Sequence, residues 1–235
     1  MKYLITGAGG FIGSHVVELL LNAGHEARAL AHYNSFGSWG HLEGSPAAAH
    51  AKLEVRLGDV TDFSMMRTLV EGCDAVLHLA ALIGIPYSYH APASYVATNV
   101  SGTLNVLEAC RAASVRRVVI TSTSEVYGTA RYTPIDEKHP LQGQSPYSAS
   151  KIAADKLAEA YFCSFDLPVV TLRPFNTFGP RQSARAVIPT VLTQALNGAA
   201  EIRLGHLDPK RDLTFVEDTA RAFLAAAETP GIEGE

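Results

Sequence analysis

The stretch Lys2-Tyr-Leu-Ile-Thr-Gly-Ala-Gly-Gly-Phe-Ile-Gly13 joins a short apolar run to a run of glycines. The apolar run predicts a buried strand over residues 2–6, and the pattern that follows predicts a helix over 11–23. A strand, a glycine-rich turn and a helix in this order form the dinucleotide-binding fingerprint. The N-terminus of the chain therefore predicts a site for a dinucleotide.

The glycines are spaced Gly-x-x-Gly-x-x-Gly, and each has an expected task. We expect Gly7 to permit the tight turn, Gly10 to let the backbone approach a pyrophosphate, and Gly13 to allow close packing of helix and strand. The free N–H groups at the start of the helix would bind the phosphates.

Strand-like and helix-like segments alternate along the rest of the chain. Strands are expected near residues 2–6, 26–31, 53–57, 74–79, 116–121 and 168–173. Helices are expected near residues 11–23, 62–71, 93–113, 147–165, 185–197 and 217–228. This alternation predicts an α/β fold in which helices cover both faces of a parallel sheet. Residues 34–51 and 134–144 are expected to be polar surface loops.

The composition of the 235 residues favours a soluble protein that binds no nucleic acid. The net charge is −4, and the basic residues form no cluster. No apolar run approaches the roughly 20 residues of a membrane helix, and no signal peptide is recognisable at the N-terminus. Cys73, Cys110 and Cys163 lie in apolar contexts, which predicts buried, reduced thiols and a cytoplasmic location. No metal site is predicted.

Tyr147 and Lys151, in Ser145-Pro-Tyr-Ser-Ala-Ser-Lys151, stand four residues apart at the start of a predicted helix. Their side chains therefore project from one face of that helix. An ammonium group close to a phenol favours the phenolate, so Tyr147 is expected to act as a base with a lowered pKa.

Six ordered motifs together resemble the short-chain dehydrogenase/reductase superfamily, in its extended branch that modifies nucleotide sugars. The first is the glycine spacing already described. The others lie at residues 58–60, 78–81, 121–128 and 173–180, and at 211–212 with 216–218. The resemblance implies a Rossmann-like, doubly wound parallel sheet. It implies a dinucleotide-binding domain over residues 1–175, with residues 176–235 as the start of a substrate-binding lobe that is largely absent from this chain. It also implies a homodimer that pairs through helices 93–113 and 147–165.

The resemblance also implies the residues that bind cofactor and substrate. The cofactor residues would be Gly7, Gly10, Phe11, Ile12, Gly13, His32, Asn34, Asp59, Val60, Leu79, Ala80, Ala81, Asn99, Thr121, Tyr147, Lys151 and Pro174. The substrate residues would be Ile85, Thr123, Asn176, Arg181 and Arg211. The resemblance implies NAD as the cofactor. The residues themselves leave NADP open, because residues 30–34 carry neither a carboxylate for a ribose hydroxyl nor an arginine for a 2′-phosphate.

Enzymes of this branch begin by oxidising C4 of the sugar, and the resemblance assigns the catalytic parts. Tyr147 would take the proton from the sugar O4, while Lys151 lowers its pKa and bonds the nicotinamide ribose. Thr123 would bind the O4 hydroxyl, or would act only as a strand-end hydroxyl that bonds the backbone. Glu125 would remove the C5 proton so that the 6-hydroxyl leaves as water, or would act only as a carboxylate that caps a turn.

Ser124 departs from the pattern of glucose-type 4,6-dehydratases, which carry an aspartate at that place to protonate the leaving O6. The Ser124-Glu125 pair also occurs in UDP-glucuronate decarboxylases, whereas 4-epimerases typically lack the glutamate. Segments 33–36 with 39–43, 85–89 and 179–185 resemble the dehydratases of legionaminic-acid-type pathways, which act on nucleotide-linked N-acetylglucosamine. The resemblance thus favours 4,6-dehydration of UDP- or GDP-N-acetylglucosamine over decarboxylation or 4-epimerisation, and leaves the nucleotide base open.

Overall fold

A six-stranded parallel sheet forms the centre of the computed structural model, which describes residues 1–205 and 207–235. Its strands are β1 (Lys2–Thr6), β2 (Glu26–His32), β3 (Leu53–Gly58), β4 (Ala75–His78), β5 (Arg117–Thr121) and β6 (Val169–Leu172). Their spatial order is β3-β2-β1-β4-β5-β6, and every neighbouring pair is parallel. The strand order reverses between β1 and β4, where sheets of this kind bind ligands at the carboxyl ends of the strands. The predicted α/β class and Rossmann-like sheet are confirmed.

Helices cover both faces of this sheet. They are α1 (Phe11–Asn22), α2 (Phe63–Val70), α3 (Ile85–Ser88), α4 (Pro92–Tyr95), α5 (Gly102–Ala112), α6 (Pro146–Phe165), α7 (Val187–Leu196) and α8 (Val216–Glu228). One buried apolar cluster lies between the sheet and α1 with α8, and a second lies between the sheet and α2, α5 and α6. The central strands β1, β4 and β5 are mostly apolar because both of their faces are buried, whereas the edge strand β3 carries Glu54 and Arg56.

The helix predicted over residues 93–113 is interrupted in the structure. A wide π-helical segment, Val96–Ser101, separates α4 from α5. Within it, the buried Asn99 receives an N–H bond from Leu82 at 2.8 Å and donates to the hydroxyl of Ser150 at 3.0 Å. These contacts are long-range, so the local sequence pattern could not predict the widened turn. Such turns are frequent at functional sites.

The loop predicted over residues 34–51 is more ordered than expected. It contains the 3₁₀ turns Gly40–Leu42 and Pro46–Ala49, and it buries Leu42 and Ala47 in the cluster under α1. Polar composition hid these two anchors and Trp39, which is partly buried against the same cluster.

The part of the chain after β6 leaves the sheet and returns to it. Strands β7 (Asn176–Phe178) and β8 (Leu213–Phe215) form a separate parallel pair. Helix α8 then packs beside α1, and the buried Arg117 side chain donates to the carbonyls of Ala226 and Thr229. The C-terminal third of this segment therefore packs against the six-stranded sheet and α1.

The three cysteines differ in exposure, which corrects the prediction that all are buried. Cys110 is buried, Cys73 is partly buried and Cys163 is exposed. Cys163 lies on α6 about 200° around the helix from the buried Tyr161, and so faces away from the sheet. Within the described residues, the chain contains no helix that is both long and apolar enough to cross a membrane.

Candidate active site

The phosphate turn, residues 7–13, is fixed by its own close backbone contacts. Gly7 has a φ of +69°, and a Cβ atom there would lie 2.7 Å from the amide nitrogen of Ala80. A Cβ atom on Gly13 would lie 2.3 Å from the carbonyl oxygen of Gly7. A Cβ atom on Gly10 would meet only that same oxygen, at 3.2 Å. Gly7 and Gly13 are thus required by the protein's own packing, whereas Gly10 leaves open space above the turn.

The start of α1 offers unused hydrogen-bond donors to this space. Gly10 is the N-cap residue, and no side chain caps the helix. The amides of Phe11, Ile12 and Gly13 occupy the first turn, where an α-helix supplies no acceptor for its N–H groups. A pyrophosphate fits this arrangement, since it brings negative charge to the positive end of the helix.

Sequence reasoning missed the support behind the phosphate turn. The carbonyl of Gly9 accepts a hydrogen bond from the amide of His41 at 3.0 Å. A Cβ atom on Gly9 would lie 2.5 Å from the carbonyl oxygen of Trp39, and one on Gly40 would lie 2.5 Å from that of Gly9. The 34–51 loop therefore braces the turn. The paired glycines at positions 9 and 40 were the only signal in the sequence.

Four predicted cofactor residues lie at the carboxyl ends of β2 and β3. The exposed His32 ring approaches the Asp59 carboxylate, with 3.7 Å between Nδ1 and Oδ2. The other carboxylate oxygen of Asp59 accepts from the amide and hydroxyl of Thr61. Asn34 uses its side chain to close its own loop, and Val60 is buried. Asp59 and His32 thus form the polar rim of this edge.

The segment after β4 is held from both sides. The hydroxyl of Thr6 accepts from the Ala80 amide at 3.1 Å, and Asn99 bonds both backbone groups of Leu82. Predicted cofactor residues Leu79, Ala80 and Ala81 therefore lie in a rigid segment between β1 and the π-helical turn. Because its hydrogen bonds hold Leu82 and Ser150, the Asn99 amide acts as a brace in this structure.

Tyr147 and Lys151 project from one face of α6, as their spacing predicts, and both are buried. The Lys151 ammonium donates to the Thr121 carbonyl at 2.6 Å. Burial raises the pKa of Tyr147 to about 12, with the hydroxyl of Thr123 opposing and the charge of Glu125 adding to the rise. Burial also lowers the pKa of Lys151 to about 8. The expected lowering of the tyrosine pKa is therefore not found here, because burial dominates and the ammonium is bound to a carbonyl.

Thr123, Ser124 and Glu125 lie where β5 ends. The 3₁₀ turn Ser124–Tyr127 begins there, and the Thr123 hydroxyl accepts from the Glu125 amide at 3.2 Å. The Ser124 amide donates to the carbonyl of Pro174 at 3.2 Å. Thr123 thus bonds the backbone, as one of its two interpretations expects, while also lying beside Tyr147. We name Thr123, Glu125, Tyr147 and Lys151 the Tyr147 cluster.

Tyr95 is a second aromatic group at this cluster that the motifs did not reveal. Its ring meets that of Tyr147 edge to face, with centroids 6.2 Å apart, and its hydroxyl donates to the carbonyl of Gly84 at 2.6 Å. The predicted substrate residue Ile85 follows at the start of α3 and is half-buried. Tyr95 therefore ties the segment around Ile85 to the Tyr147 cluster.

The other predicted substrate residues fall in two places. Asn176 on β7 lies near Arg211, which precedes β8 by two residues, because the Asn176 amide donates to the carbonyl of Asp212 at 3.2 Å. Arg181 instead lies against α1, where it bonds Glu18 at 2.6 Å and the Ser14 hydroxyl at 3.1 Å. The structure thus brings Arg181 to the helix behind the phosphate turn.

The sequence profile of the family described as GDP-mannose 4,6 dehydratase matches residues 4–233. The chain belongs to this family. The expected membership of the epimerase/dehydratase branch is confirmed at that level.

Relatives of this GDP-mannose 4,6-dehydratase-family chain include both dehydratases and epimerases. A dTDP-glucose 4,6-dehydratase of Actinoplanes sp. is 35% identical, covering 100% of this chain and 75% of the relative. A UDP-glucose 4-epimerase of Mycolicibacterium smegmatis is also 35% identical, covering 98% and 74%.

Solved structures show the same division. DesIV, a dTDP-glucose 4,6-dehydratase from Streptomyces venezuelae crystallised with NAD, superposes with a TM-score of 0.90 at 33% identity, covering 100% of this chain and 74% of that one. A UDP-N-acetylglucosamine 4-epimerase from Methanobrevibacter ruminantium M1 has a TM-score of 0.90 at 31% identity, covering 97% and 73%.

Proposed function

We propose that this chain catalyses the NAD-dependent 4,6-dehydration of a nucleotide-linked N-acetylhexosamine, UDP- or GDP-N-acetylglucosamine, to the 4-keto-6-deoxy sugar nucleotide. The observation that carries the proposal is the Tyr147 cluster, in which a phenol, a carboxylate, a hydroxyl and an ammonium meet at the carboxyl end of β5. Membership of a family that contains nucleotide-sugar dehydratases and epimerases supports the general class of reaction.

NAD fits the residues that are present. The phosphate turn offers free amides and the open space above Gly10. The hydroxyl of Thr121 is buried and has no partner among the described residues, so a bound ligand could use it. Similar structures crystallised with NAD support this choice. The chemistry that NAD would supply when bound is the removal of a hydride from C4 of the sugar and the delivery of that hydride to C6 after water has left.

Tyr147 accepts the proton of the sugar O4 in this mechanism. Its pKa of about 12 is too high for an efficient base at neutral pH, so a positive charge close to the phenol has to favour its ionised form. In the proposed mechanism Lys151, on the next turn of α6, supplies that charge when its ammonium moves from the Thr121 carbonyl toward the phenol. The Thr123 hydroxyl, which lies beside the phenol, holds the O4 oxygen.

Glu125 is the base of the elimination step. Once C4 is a ketone, the hydrogen on C5 is acidic, and the Glu125 carboxylate removes it as a proton. The C5–C6 double bond forms as the C6–O6 bond breaks, and O6 leaves as water after taking up a proton. Ser124 is too weak an acid to deliver it, so Glu125 passes to O6 the proton that it took from C5. C5 then gains a proton from water as C6 receives the hydride, which gives the 4-keto-6-deoxy product.

Residues 176–235 begin the substrate-binding lobe in this proposal, with Asn176 and Arg211 contacting the sugar nucleotide. Arg181, which bonds Ser14 and Glu18, supports α1 behind the phosphate turn. The protein works as a cytoplasmic homodimer joined through α5 and α6, whose exposed faces carry Leu104 and Phe165.

A 4-epimerase is the second candidate, because Ser124 stands where glucose-type dehydratases carry an acid and because epimerases are among the relatives. A UDP-glucuronate decarboxylase is the third, since it shares the Ser-Glu pair. An epimerase needs only the oxidation at C4 and its reversal, so Glu125 would then have no proton to move.

One substrate panel separates these reactions. The protein, supplied with NAD, is incubated with UDP- and GDP-N-acetylglucosamine and with UDP-glucuronate, and the products are examined by mass spectrometry and NMR. We expect the loss of one water from an N-acetylglucosamine nucleotide. An unchanged mass with inverted C4, or the release of carbon dioxide from the glucuronate, would reject dehydration.

A further inference from the structure

Helix α6 carries a third ionisable group behind the two that the proposed reaction uses. Tyr147, Lys151 and Asp155 are spaced at four-residue intervals and share one buried face. Asp155 is 3% exposed, as is Lys151. A carboxylate so deeply buried is costly unless a charge or hydrogen bonds stabilise it, so its position beside Lys151 requires an explanation.

Arg173 is the partner of this carboxylate. Its Nε donates to Oδ2 of Asp155 at 3.0 Å. The guanidinium also lies 5.6 Å from the ring centroid of Tyr127 and reaches the Tyr127 hydroxyl at 3.4 Å. Tyr127 ends the 3₁₀ turn that holds Glu125. The Asp155–Arg173 pair thus connects α6, the segment after β6 and the turn at the end of β5.

The protonation of Lys151 depends on its burial and on the charged groups around it. Burial lowers the pKa of its ammonium to about 8, and the negative charge of Asp155 opposes that fall. Burial also raises the pKa of the Asp155 carboxyl, while Ser122 and Arg173 hold it down. The other ionisable groups around the cluster include His78 on β4, Tyr95 on α4 and Glu125. Tyr127, Glu159 and Glu235 lie around the Asp155–Arg173 pair. Burial keeps His78 neutral by lowering its pKa to about 3.

We propose that Asp155, fixed by Arg173, is a positioning residue that keeps the Lys151 ammonium protonated and directed along α6 beside Tyr147. The sign of its effect follows from charge. Lys151 is charged below its pKa, and the loss of a neighbouring negative charge lowers that pKa, so the ammonium would deprotonate at a lower pH. The catalytic consequence rests on the proposed function, whereas the effect on Lys151 does not.

The direct test measures the titration of Lys151 itself. Lysines labelled with ¹³C at Cε are followed by NMR across a pH series, and the Lys151 signal is assigned by its absence in Lys151→Arg. The chain contains six lysines, so the spectrum is simple. In Asp155→Asn we expect the pKa of Lys151 to fall by about one unit. Asp155→Glu is expected to restore most of the difference.

Glu159→Gln is the matched control. It lies on α6 one turn beyond Asp155, removes the same charge, and belongs to an exposed pair with Lys156. We expect no change in the Lys151 titration. If Asp155→Asn fails to fold because Arg173 loses its partner, Asp155→Asn/Arg173→Gln removes both charges and carries the same test, with a smaller fall expected.

Turnover then shows whether the effect reaches the reaction. The alkaline limb of the pH profile, which belongs to the coupled Tyr147–Lys151 pair, is expected to move to lower pH in Asp155→Asn and not in Glu159→Gln. An unmoved Lys151 titration in the folded variant overturns the inference and leaves the proposed function intact. A wild-type protein that converts no nucleotide sugar overturns the proposed function, and the titration still decides the inference.

Discussion

The phosphate turn and the Tyr147 cluster lie at the same edge of the sheet, but the first is formed by backbone atoms and the second by side chains. The turn consists of backbone, and its shape follows from contacts that leave no room for a side chain on Gly7 or Gly13. The Tyr147 cluster consists of buried side chains whose protonation depends on burial and on neighbouring charges. A backbone site has nothing to titrate, whereas the side-chain site is sensitive to every charge around it.

Under the proposed function, this difference would separate binding of the dinucleotide from the chemistry on the sugar. Substitutions in the turn should change the affinity for the dinucleotide with little effect on pH dependence. Substitutions in the cluster should change rates and pH profiles while the dinucleotide still binds. Four variants test that separation, from the largest expected effect to the smallest.

Tyr147→Phe should have the largest effect on turnover. The variant lacks the phenol that takes the O4 proton, and we expect turnover to fall on the order of a thousandfold, as for loss of a general base. The affinity for NAD, measured by calorimetric titration, should stay at the wild-type level because the phosphate turn is unchanged. Turnover near that of the wild type would show that Tyr147 is not the base that takes the O4 proton.

Glu125→Gln should stop the reaction after the first step. The amide cannot accept the C5 proton, so water loss should fall roughly a hundredfold. Exchange of the C5 hydrogen with deuterated solvent, followed by NMR, should fall equally. An unchanged exchange rate would show that another group removes this proton and would contradict the dehydration mechanism.

Gly10→Val should weaken NAD binding without unfolding the protein. The new side chain would enter the open space above the turn, where the protein itself offers only one contact, the Gly7 oxygen at 3.2 Å. We expect the dissociation constant for NAD to rise about tenfold or more, equivalent to about 1.4 kcal/mol. Gly44→Val is the matched control, since a Cβ atom there meets nothing within 4 Å. Equal NAD affinity in both variants would contradict the placement of the pyrophosphate.

Ser124→Asp should have the smallest effect. An acid at this place could protonate the leaving O6, but its charge beside Glu125 also disfavours ionisation of both carboxyls. We expect dehydration to continue within about tenfold of the wild-type rate, measured by the same loss of water. Complete inactivation of the folded variant would mean that the serine itself has a task in the reaction.

The sequence predicted the phosphate turn well because its geometry is local. Gly7, Gly10 and Gly13 act within one short segment, and their spacing is visible without knowledge of the rest of the fold. The order of strands and helices was predictable for a similar reason, since hydrophobic periodicity is a local property. Cys163 was misplaced because an apolar neighbourhood in sequence does not say which face of a helix is covered.

The surroundings of the Tyr147 cluster were not predictable in the same way. Tyr95 reaches the cluster through the packing of α4 against α6. Asp155 lies on α6 itself, but its partner Arg173 reaches it only through the packing of the segment after β6. The raised pKa of Tyr147 follows from burial, which the Tyr-x-x-x-Lys spacing does not report. The brace that the 34–51 loop supplies to Gly9 was hidden for the same reason, since the two segments are some thirty residues apart in the chain.

The contact between Gly9 and the 34–51 loop also determines where this protein can be engineered. The loop is uneven: Phe36 is 93% exposed, and nothing lies within 4 Å of a Cβ atom built on Gly37, whereas Gly40 touches the phosphate turn. A fluorophore attached to a substituted side chain at position 36 would point into solvent and leave in place the backbone bonds by which Asn34 closes this turn. An insertion beside Gly40 would instead pull the backbone away from Gly9, so a labelling strategy has to respect a boundary that composition does not mark.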